Sequence, residues 1–181
     1  MNRPSRILVV EDESIVALNL QQRLAQLGYD VPAIAVSGDE CMEMFSQTQP
    51  DLVLMDIQLA GEMDGITAAQ TIRQTFGIPV VFLTAYAADD ILARAKLTEP
   101  FGYLLKPFSE RELSTVLAMA LYKHQAEAKL LTTTRQLQAL SRRVLEAQEQ
   151  ERRRVAIELH DELGQSLTAI KINLQLGERF K

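Results

Sequence analysis

Short apolar runs recur along the first two thirds of the chain with amphipathic stretches between them: Ile7 to Val10, Val31 to Val36, Leu52 to Met55, Pro79 to Leu83 and Phe101 to Leu105. Near-continuous apolar runs of this length predict strands buried on both faces, and their alternation with helical stretches predicts a parallel sheet covered on both sides. Leu18, Leu20, Leu24 and Leu27 supply an apolar stripe that stops at Gly28, and Ile66, Ala69, Ile72 and Phe76 supply another that stops at Gly77. After Phe108 the pattern changes. No Gly or Pro occurs from Phe108 through Leu163, so a helix that begins near Ser109 meets no local stop and is expected to run toward Phe180. Its weak point is Thr132-Thr133-Thr134, where β-branched residues lower helix propensity; continuity is expected there.

Within this helix Leu130, Leu137 and Val144 stand seven residues apart, and Leu140 and Ala147 fill the alternate positions, which is the pattern of a two-stranded coiled coil. Continued, the pattern would put Glu151 and Arg154 in the seam. Apolar positions resume instead at Val155, Leu159, Leu163, Leu167, Ile170 and Leu174, a stutter that locally changes the supercoil. Three segments follow: an α/β domain over 1–122, a coiled-coil helix over 123–148, and a further helical segment over 149–181. A homodimer held by the helix is the expected assembly.

In an open parallel sheet, ligands bind beyond the carboxyl ends of the strands. The polar residues of this chain fall at those ends: Glu11 and Asp12 after the first strand, Asp56 after the third, Thr84 after the fourth and Lys106 after the fifth. Singly each has an ordinary role, since Asp12 or Thr84 can cap a helix and Lys106 can be solvated. Converging on one edge, three acids, a hydroxyl and an amine make a chemical site. Crowded carboxylates repel one another, and a small hard cation such as Mg²⁺ relieves the repulsion while keeping some of its waters. A phosphoryl group can then be drawn in, with Asp56 as the attacking carboxylate. Lys106 and Thr84 are suited to the charge on its equatorial oxygens, and the small Ala85 leaves room for it to enter.

Charge divides the chain. Residues 1–122 hold 8 Lys and Arg against 16 Asp and Glu, and residues 123–181 hold 11 against 8; the balances of -8 and +3 make up the net -5. Neither half has the strong positive field of a non-specific nucleic-acid binder, so no nucleic acid is expected as partner. The run Arg152-Arg153-Arg154 lies among Glu149, Glu151 and Glu158 and reads as a solvated helix surface. The single Cys41 excludes an internal disulfide and reads as a small buried side chain. With no apolar run of about 18 residues and no leader-like stretch before the first strand, a cytoplasmic protein without a membrane span is expected.

Val9-Val10-Glu11-Asp12-Glu13, Leu54-Met55-Asp56, Leu83-Thr84-Ala85 and Leu105-Lys106-Pro107-Phe108 together resemble a response-regulator receiver domain over residues 5 to about 122. The resemblance implies a flavodoxin-like doubly wound five-stranded sheet of order 2-1-3-4-5. It also implies Asp56 as phosphoacceptor and Mg²⁺ held by Glu11, Asp12, Asp56 and the main-chain carbonyl of Gln58. A switch in which Thr84 moves toward the phosphoryl group and Tyr103 changes rotamer is implied too, as is a cis Lys106-Pro107 peptide. The loop Leu59-Ala60-Gly61-Glu62-Met63-Asp64-Gly65 departs from the family, with Ala where Pro is common and one residue more.

His160 is the most informative residue of the second half. Asp161 follows it, and Gln165 lies four residues beyond Asp161 on the same helical face. A neutral imidazole accepts a phosphoryl group when a neighbouring carboxylate orients it and takes its proton, and Gly164, one turn on, leaves space for a bulky partner. His124 has no comparable surroundings and is assigned no function. Residues from about 149 to 176 resemble the first helix of the dimerisation and phosphoacceptor domain of nitrate-sensor-type histidine kinases. That resemblance implies His160 as the phosphorylated residue, Asp161 as its base and Gln165 as the group that positions water during dephosphorylation of a receiver. It also implies a hybrid histidine kinase whose second bundle helix and ATP-binding domain would follow Lys181. The expectation is two-component signalling in which Asp56 regulates His160 through a continuous helix, with other two-component proteins as partners. A dimeric response regulator with an RNA-binding helical output and a purely structural stalk are the competing readings.

Overall fold

In the computed structural model, residues 3–61, 63–85 and 100–179 are described; beyond residue 157 the described side chains are Leu159, His160 and Leu163. The chain divides into two units, Met1–Ala128 and Lys129–Lys181.

In the first unit, strands β1 (Ile7–Val10), β2 (Ile34–Ala35), β3 (Leu52–Asp56), β4 (Val80–Thr84) and β5 (Gly102–Leu105) form one parallel sheet of order β2-β1-β3-β4-β5. Helices α1 (Ser14–Gln26), α2 (Gly38–Thr48) and α3 (Gly65–Phe76) stand between strands, and α4 (Glu110–Arg179) follows β5. The flavodoxin-like order is the expected one. The period of two along each strand sorts its side chains into two cores. Leu8, Val10, Val53, Met55 and Phe82 point to one face, where Cys41 and Phe45 of α2 and Ile66, Ala69 and Ile72 of α3 cover them. Ile7, Val9, Leu52, Leu54, Val81 and Leu83 point to the other, covered by Leu20 and Leu24 of α1 and Leu113 and Leu117 of α4. Burial pushes the Cys41 thiol up to about 12, with Glu40 adding to the effect, so it rests as a neutral core side chain.

Two local expectations need correction. The second strand is shorter than the apolar run Val31 to Val36, because Pro32 has no N–H for a ladder; only an isolated bridge, Arg6 to Asp30, lies ahead of it. Leu18 is not part of the α1 stripe: residues two apart on a helix are turned by about 200°, so with Leu20 and Leu24 facing the sheet Leu18 is exposed. Phe76 is also part-exposed and stacks on Phe45 with ring centroids 4.2 Å apart.

Side-chain caps start three of the helices, while α1, which follows Glu13, has none. Ser37 accepts from the N–H of Glu40, and Asp64 accepts from the N–H of Thr67. At the start of α4, Ser109 Oγ accepts from the N–H of Glu112, while the Glu112 carboxylate accepts from the N–H and hydroxyl of Ser109, a reciprocal capping box. Those bonds hold the Glu112 carboxyl below its ordinary value. The backbone is helical through Thr132 to Thr134, and Thr133 Oγ1 donates to the Lys129 carbonyl at 2.9 Å, which accommodates its hydroxyl.

Among the described residues of the second unit, α4 is the one element. Leu130, Leu137, Leu140 and Val144 are 57 to 68% exposed, and Val155, Ile157, Leu159 and Leu163 are exposed as well. Arg153 pairs with Glu149 at 3.1 Å and Arg154 with Glu151 at 2.7 Å along the helix surface. No helix among the described residues is long and apolar enough to cross a membrane.

Candidate functional site

All strands being parallel, their carboxyl ends share one edge, and the backbone ladder runs one residue past them. Glu11 N–H donates to Ala35 O at 3.0 Å, Ile57 N–H to Leu83 O at 3.1 Å, and Lys106 N–H to Thr84 O at 2.7 Å. Glu11, Asp56, Thr84 and Lys106 are therefore placed by sheet geometry rather than by a free loop. Glu11 is fully buried, and Asp56 and Thr84 are each 8% exposed.

Lys106 Nζ stands 2.7 Å from Glu11 Oε2 and 2.5 Å from Asp56 Oδ2, joining the ends of β1, β3 and β5. The other Asp56 oxygen, Oδ1, accepts the main-chain N–H of Gln58 at 2.9 Å. Glu11 Oε1 is buried with no hydrogen-bond partner among the described residues. Burial raises the Glu11 carboxyl above its ordinary value, the bond from Lys106 partly offsets this, and the nearby Asp56 charge raises it further. Burial alone would lower Lys106, but hydrogen bonds and charge from Asp56 and Glu11 outweigh it, so its pKa is raised and the ammonium is retained.

The structure brings Glu11, Asp56 and Lys106 into direct contact, with Thr84 beside Lys106 through the backbone. It does not gather three carboxylates. Asp12 is exposed, and no set of three His, Cys, Asp or Glu side chains stands close enough to hold a metal among the described residues. Lys106 does the neutralising in this arrangement, so the two buried acids need no third partner. The donor set still suits a hard cation: two carboxylates aimed at one point, a third acid next in sequence, and an unsatisfied buried oxygen on Glu11. Lys106-Pro107 is cis, as the family resemblance implies. Tyr103 packs against Phe82, ring centroids 5.9 Å apart, and its buried hydroxyl has no partner among the described residues; burial raises its pKa. His160 is exposed on its helix; Asp161 and Gln165 are helical, with side chains outside the described residues.

One residue of the site escaped the sequence reading. A Cβ on Gly65 would lie 1.9 Å from the Asp56 carbonyl oxygen and 3.1 Å from the Ile57 Cα, and the Gly65 N–H donates to Ile57 O at 3.2 Å. The start of α3 thus closes directly on the peptide of Asp56. Only a residue without a side chain permits this, and Asp64-Gly65 ahead of an apolar stripe was the available signal. The long loop between them is closed further out, where Gly38 of α2 meets Met63.

The response regulator receiver domain family matches residues 7–118, and a histidine kinase family matches residues 151–180. The chain belongs to the response regulator receiver family, with a histidine-kinase-type helix fused behind the receiver domain. Transcriptional regulatory protein PdtaR of Mycobacterium tuberculosis is 36% identical over 117 residues, covering 65% of this chain and 57% of that protein. Phyllosphere-induced regulator PhyR of Methylorubrum extorquens is 33% identical over 123 residues, covering 67% and 45%. The chain thus spans about half the length of these curated relatives. Among solved structures, the receiver domain of a modulated diguanylate cyclase from Desulfovibrio desulfuricans G20 matches with a TM-score of 0.66 at 34% identity, covering 68% of this chain and 98% of that one. The N-terminal domain of a response regulator/sensory box/GGDEF protein from Carboxydothermus hydrogenoformans matches with a TM-score of 0.63 at 37% identity, covering 68% and 99%.

The Gly65 contact leads to a direct test. Gly65→Ala should lower unfolding stability by about 1–3 kcal/mol in urea, the usual cost of forcing an atom into a filled space. It should also shift the backbone amide resonances of Ile57 and Gln58. Wild-type stability with unshifted amides would show that α3 slides away without disturbing Asp56.

Proposed function

We propose that this protein works in two-component signalling as a receiver phosphorylated at Asp56, which regulates a histidine phosphoacceptor at His160 through α4. The observation that carries the reading is the Lys106 ammonium lying between Glu11 and Asp56 at the carboxyl edge of the sheet. A buried acid pair with its own cation on a long unbranched stem is equipped to exchange that cation's partner for an incoming anion.

In this reading an Asp56 oxygen forms the bond to phosphorus as the donor's bond to its leaving group breaks. Lys106 exchanges its carboxylate contact for a phosphoryl oxygen, and the Thr84 hydroxyl, at the end of the adjoining strand, serves a second oxygen. Glu11, Asp12, Asp56 and the Gln58 carbonyl would hold Mg²⁺, which when bound supplies Lewis-acid polarisation of the phosphoryl group. Gln58 N–H keeps Asp56 oriented throughout. On the helix, His160 is the phosphoacceptor, Asp161 its base and Gln165 the residue that positions water for receiver dephosphorylation. The exposed Leu130, Leu137, Leu140 and Val144 support a parallel homodimer, because an apolar stripe on a lone helix requires a partner. Kinase activity with ATP belongs to a chain that also carries a nucleotide-binding domain.

Three outcomes test the reading. The 181-residue chain should take phosphate at Asp56 from a small phosphodonor such as acetyl phosphate only when Mg²⁺ is present. Wild-type labelling of Asp56→Ala, or undiminished labelling in excess chelator, would sink the assignment.

The same chain should scatter in solution as a dimer, whereas one ending near Tyr122 should be monomeric or weakly associated. A monomer at high protein concentration rules out the coiled-coil seam.

In an ATP-competent form, His160→Gln should abolish ATP-dependent labelling and Asp161→Asn should slow it by about two orders of magnitude or more, the scale of a general base. Gln165→Ala should leave labelling nearly intact and lengthen the life of the phosphorylated receiver. Equal loss of kinase and phosphatase activity in Gln165→Ala would assign that residue to support of the helix instead.

A further inference from the structure

Arg23 lies in the last turn of α1, where the ordinary task of a cation is to face the carbonyls of its own helix end. Its side chain goes elsewhere. Nη2 donates to the main-chain carbonyl of Phe108 at 3.2 Å, and the guanidinium carbon stands 5.1 Å from the centroid of the Phe108 ring. A planar guanidinium can offer an edge to the carbonyl and a face to the ring, and a lysine cannot do both.

Phe108 occupies a consequential place. It lies two residues after Lys106, which spans Glu11 and Asp56, and one before Ser109, which caps α4. Its ring packs into the same core as Leu113, five residues on, as a hydrophobic staple outside the capping box. The α4 ladder begins with the Ser109 carbonyl accepting from the N–H of Leu113 at 3.1 Å, so the Phe108 carbonyl is outside it and the helix has no need of the Arg23 bond. One short segment is therefore tied three ways: to the acid pair through Lys106, to the first turn of α4 through the staple and box, and to α1 through Arg23.

We propose that Arg23 is a positioning residue, a strut between α1 and the segment 106–109 that passes a change at Asp56 to the root of α4. The proposal rests on the reading of Asp56 as phosphoacceptor. Where Lys106 follows a phosphoryl group further than its side chain alone can reach, its main chain draws on Phe108 through Pro107. While Arg23 grips Phe108, that displacement moves the stapled first turn as one piece against α1; without the grip, rotation about the 107–108 backbone absorbs it locally. Packed elements shift between discrete arrangements, and a strut at the junction decides which element moves.

The test uses the 181-residue chain as wild type, Arg23→Met and Arg23→Lys, with acetyl phosphate and Mg²⁺ as probe. Asp56 labelling and amide hydrogen exchange over residues 108–118 are measured on the same samples. Phosphorylation of the wild type should change exchange at 109–113 by about fivefold, the size of one modest polar contact. Arg23→Met should be labelled equally but lose most of that change, and Arg23→Lys should fall between. A purely structural role would shift the melting temperature while leaving the phosphorylation-dependent change intact. A labelled Arg23→Met with the full wild-type change overturns the proposal, as does loss of labelling itself, which would place Arg23 in the chemistry. A labelled wild type with unchanged exchange overturns the strut and spares the phosphoacceptor; an unlabelled wild type overturns both. Should Arg23→Met fail to melt cooperatively, Phe108→Leu, which keeps an apolar staple and the main-chain carbonyl but removes the ring, must lose part of the response, as Arg23→Lys does; a full wild-type change in it overturns the proposal.

Discussion

The Lys106 ammonium held between Glu11 and Asp56 is the interaction on which the site depends. Its three groups come from the ends of β1, β3 and β5, and β4 separates the last two, so Lys106 reaches past the end of β4 to close the cluster. Two carboxylates buried together repel one another without it, and breaking a buried pair typically costs about 3–5 kcal/mol because a charge is left alone. Replacing such a group by well-packed apolar side chains is often neutral or stabilising. Burial has already raised the Glu11 carboxyl, and one of its oxygens has no partner. Stability alone does not account for a cluster that carries these costs in an otherwise apolar sheet, which is in keeping with the function proposed above.

The sheet supplies the precision. Because the ladder continues one residue beyond β1, β3 and β5, the backbone at Glu11, Ile57 and Lys106 is held by sheet hydrogen bonds. Asp56 is further restrained by the Gln58 N–H on one oxygen and by α3 closing on its carbonyl at Gly65. Freedom is left to the lysine side chain, whose long stem can follow a new anion, and to the exposed Asp12. This division of rigid acids and one movable cation is what a reversible anion site needs.

The α/β order, the site edge and the identities of Glu11, Asp56, Thr84 and Lys106 were legible because strand runs and their terminal polar residues are contiguous in sequence. What was not legible depends on direction or on distant contacts. The Leu18, Leu20, Leu24 and Leu27 pattern counted leucines without separating the two sides of α1, and Pro32 trimmed a strand that hydrophobicity alone extended. The three-acid cluster was inferred from charge repulsion, yet Lys106, 95 residues from Glu11, resolves that repulsion first. Arg23 has no local signal of its own, and Asp64-Gly65 marks only a helix start; the atoms that give both residues meaning belong to Phe108 and to Asp56.

The second unit poses a different physical problem. A single helix gains little from propensity, and helical stability usually comes from packing an apolar face. From Leu130 to Leu163 that face is exposed in the isolated chain, and pairs such as Glu149–Arg153 contribute only about 0.2–0.5 kcal/mol each. In the dimer proposed above, association and helix stability become one equilibrium, so the order of the helix around His160 depends on protein concentration and on whatever biases the pairing. A receiver that alters the root of α4 then acts on a marginal element, where a change of about 1–2 kcal/mol shifts a population several-fold. The seam's interruption between Ala147 and Val155 is where such a bias has least apolar packing to overcome, and His160 lies just beyond it.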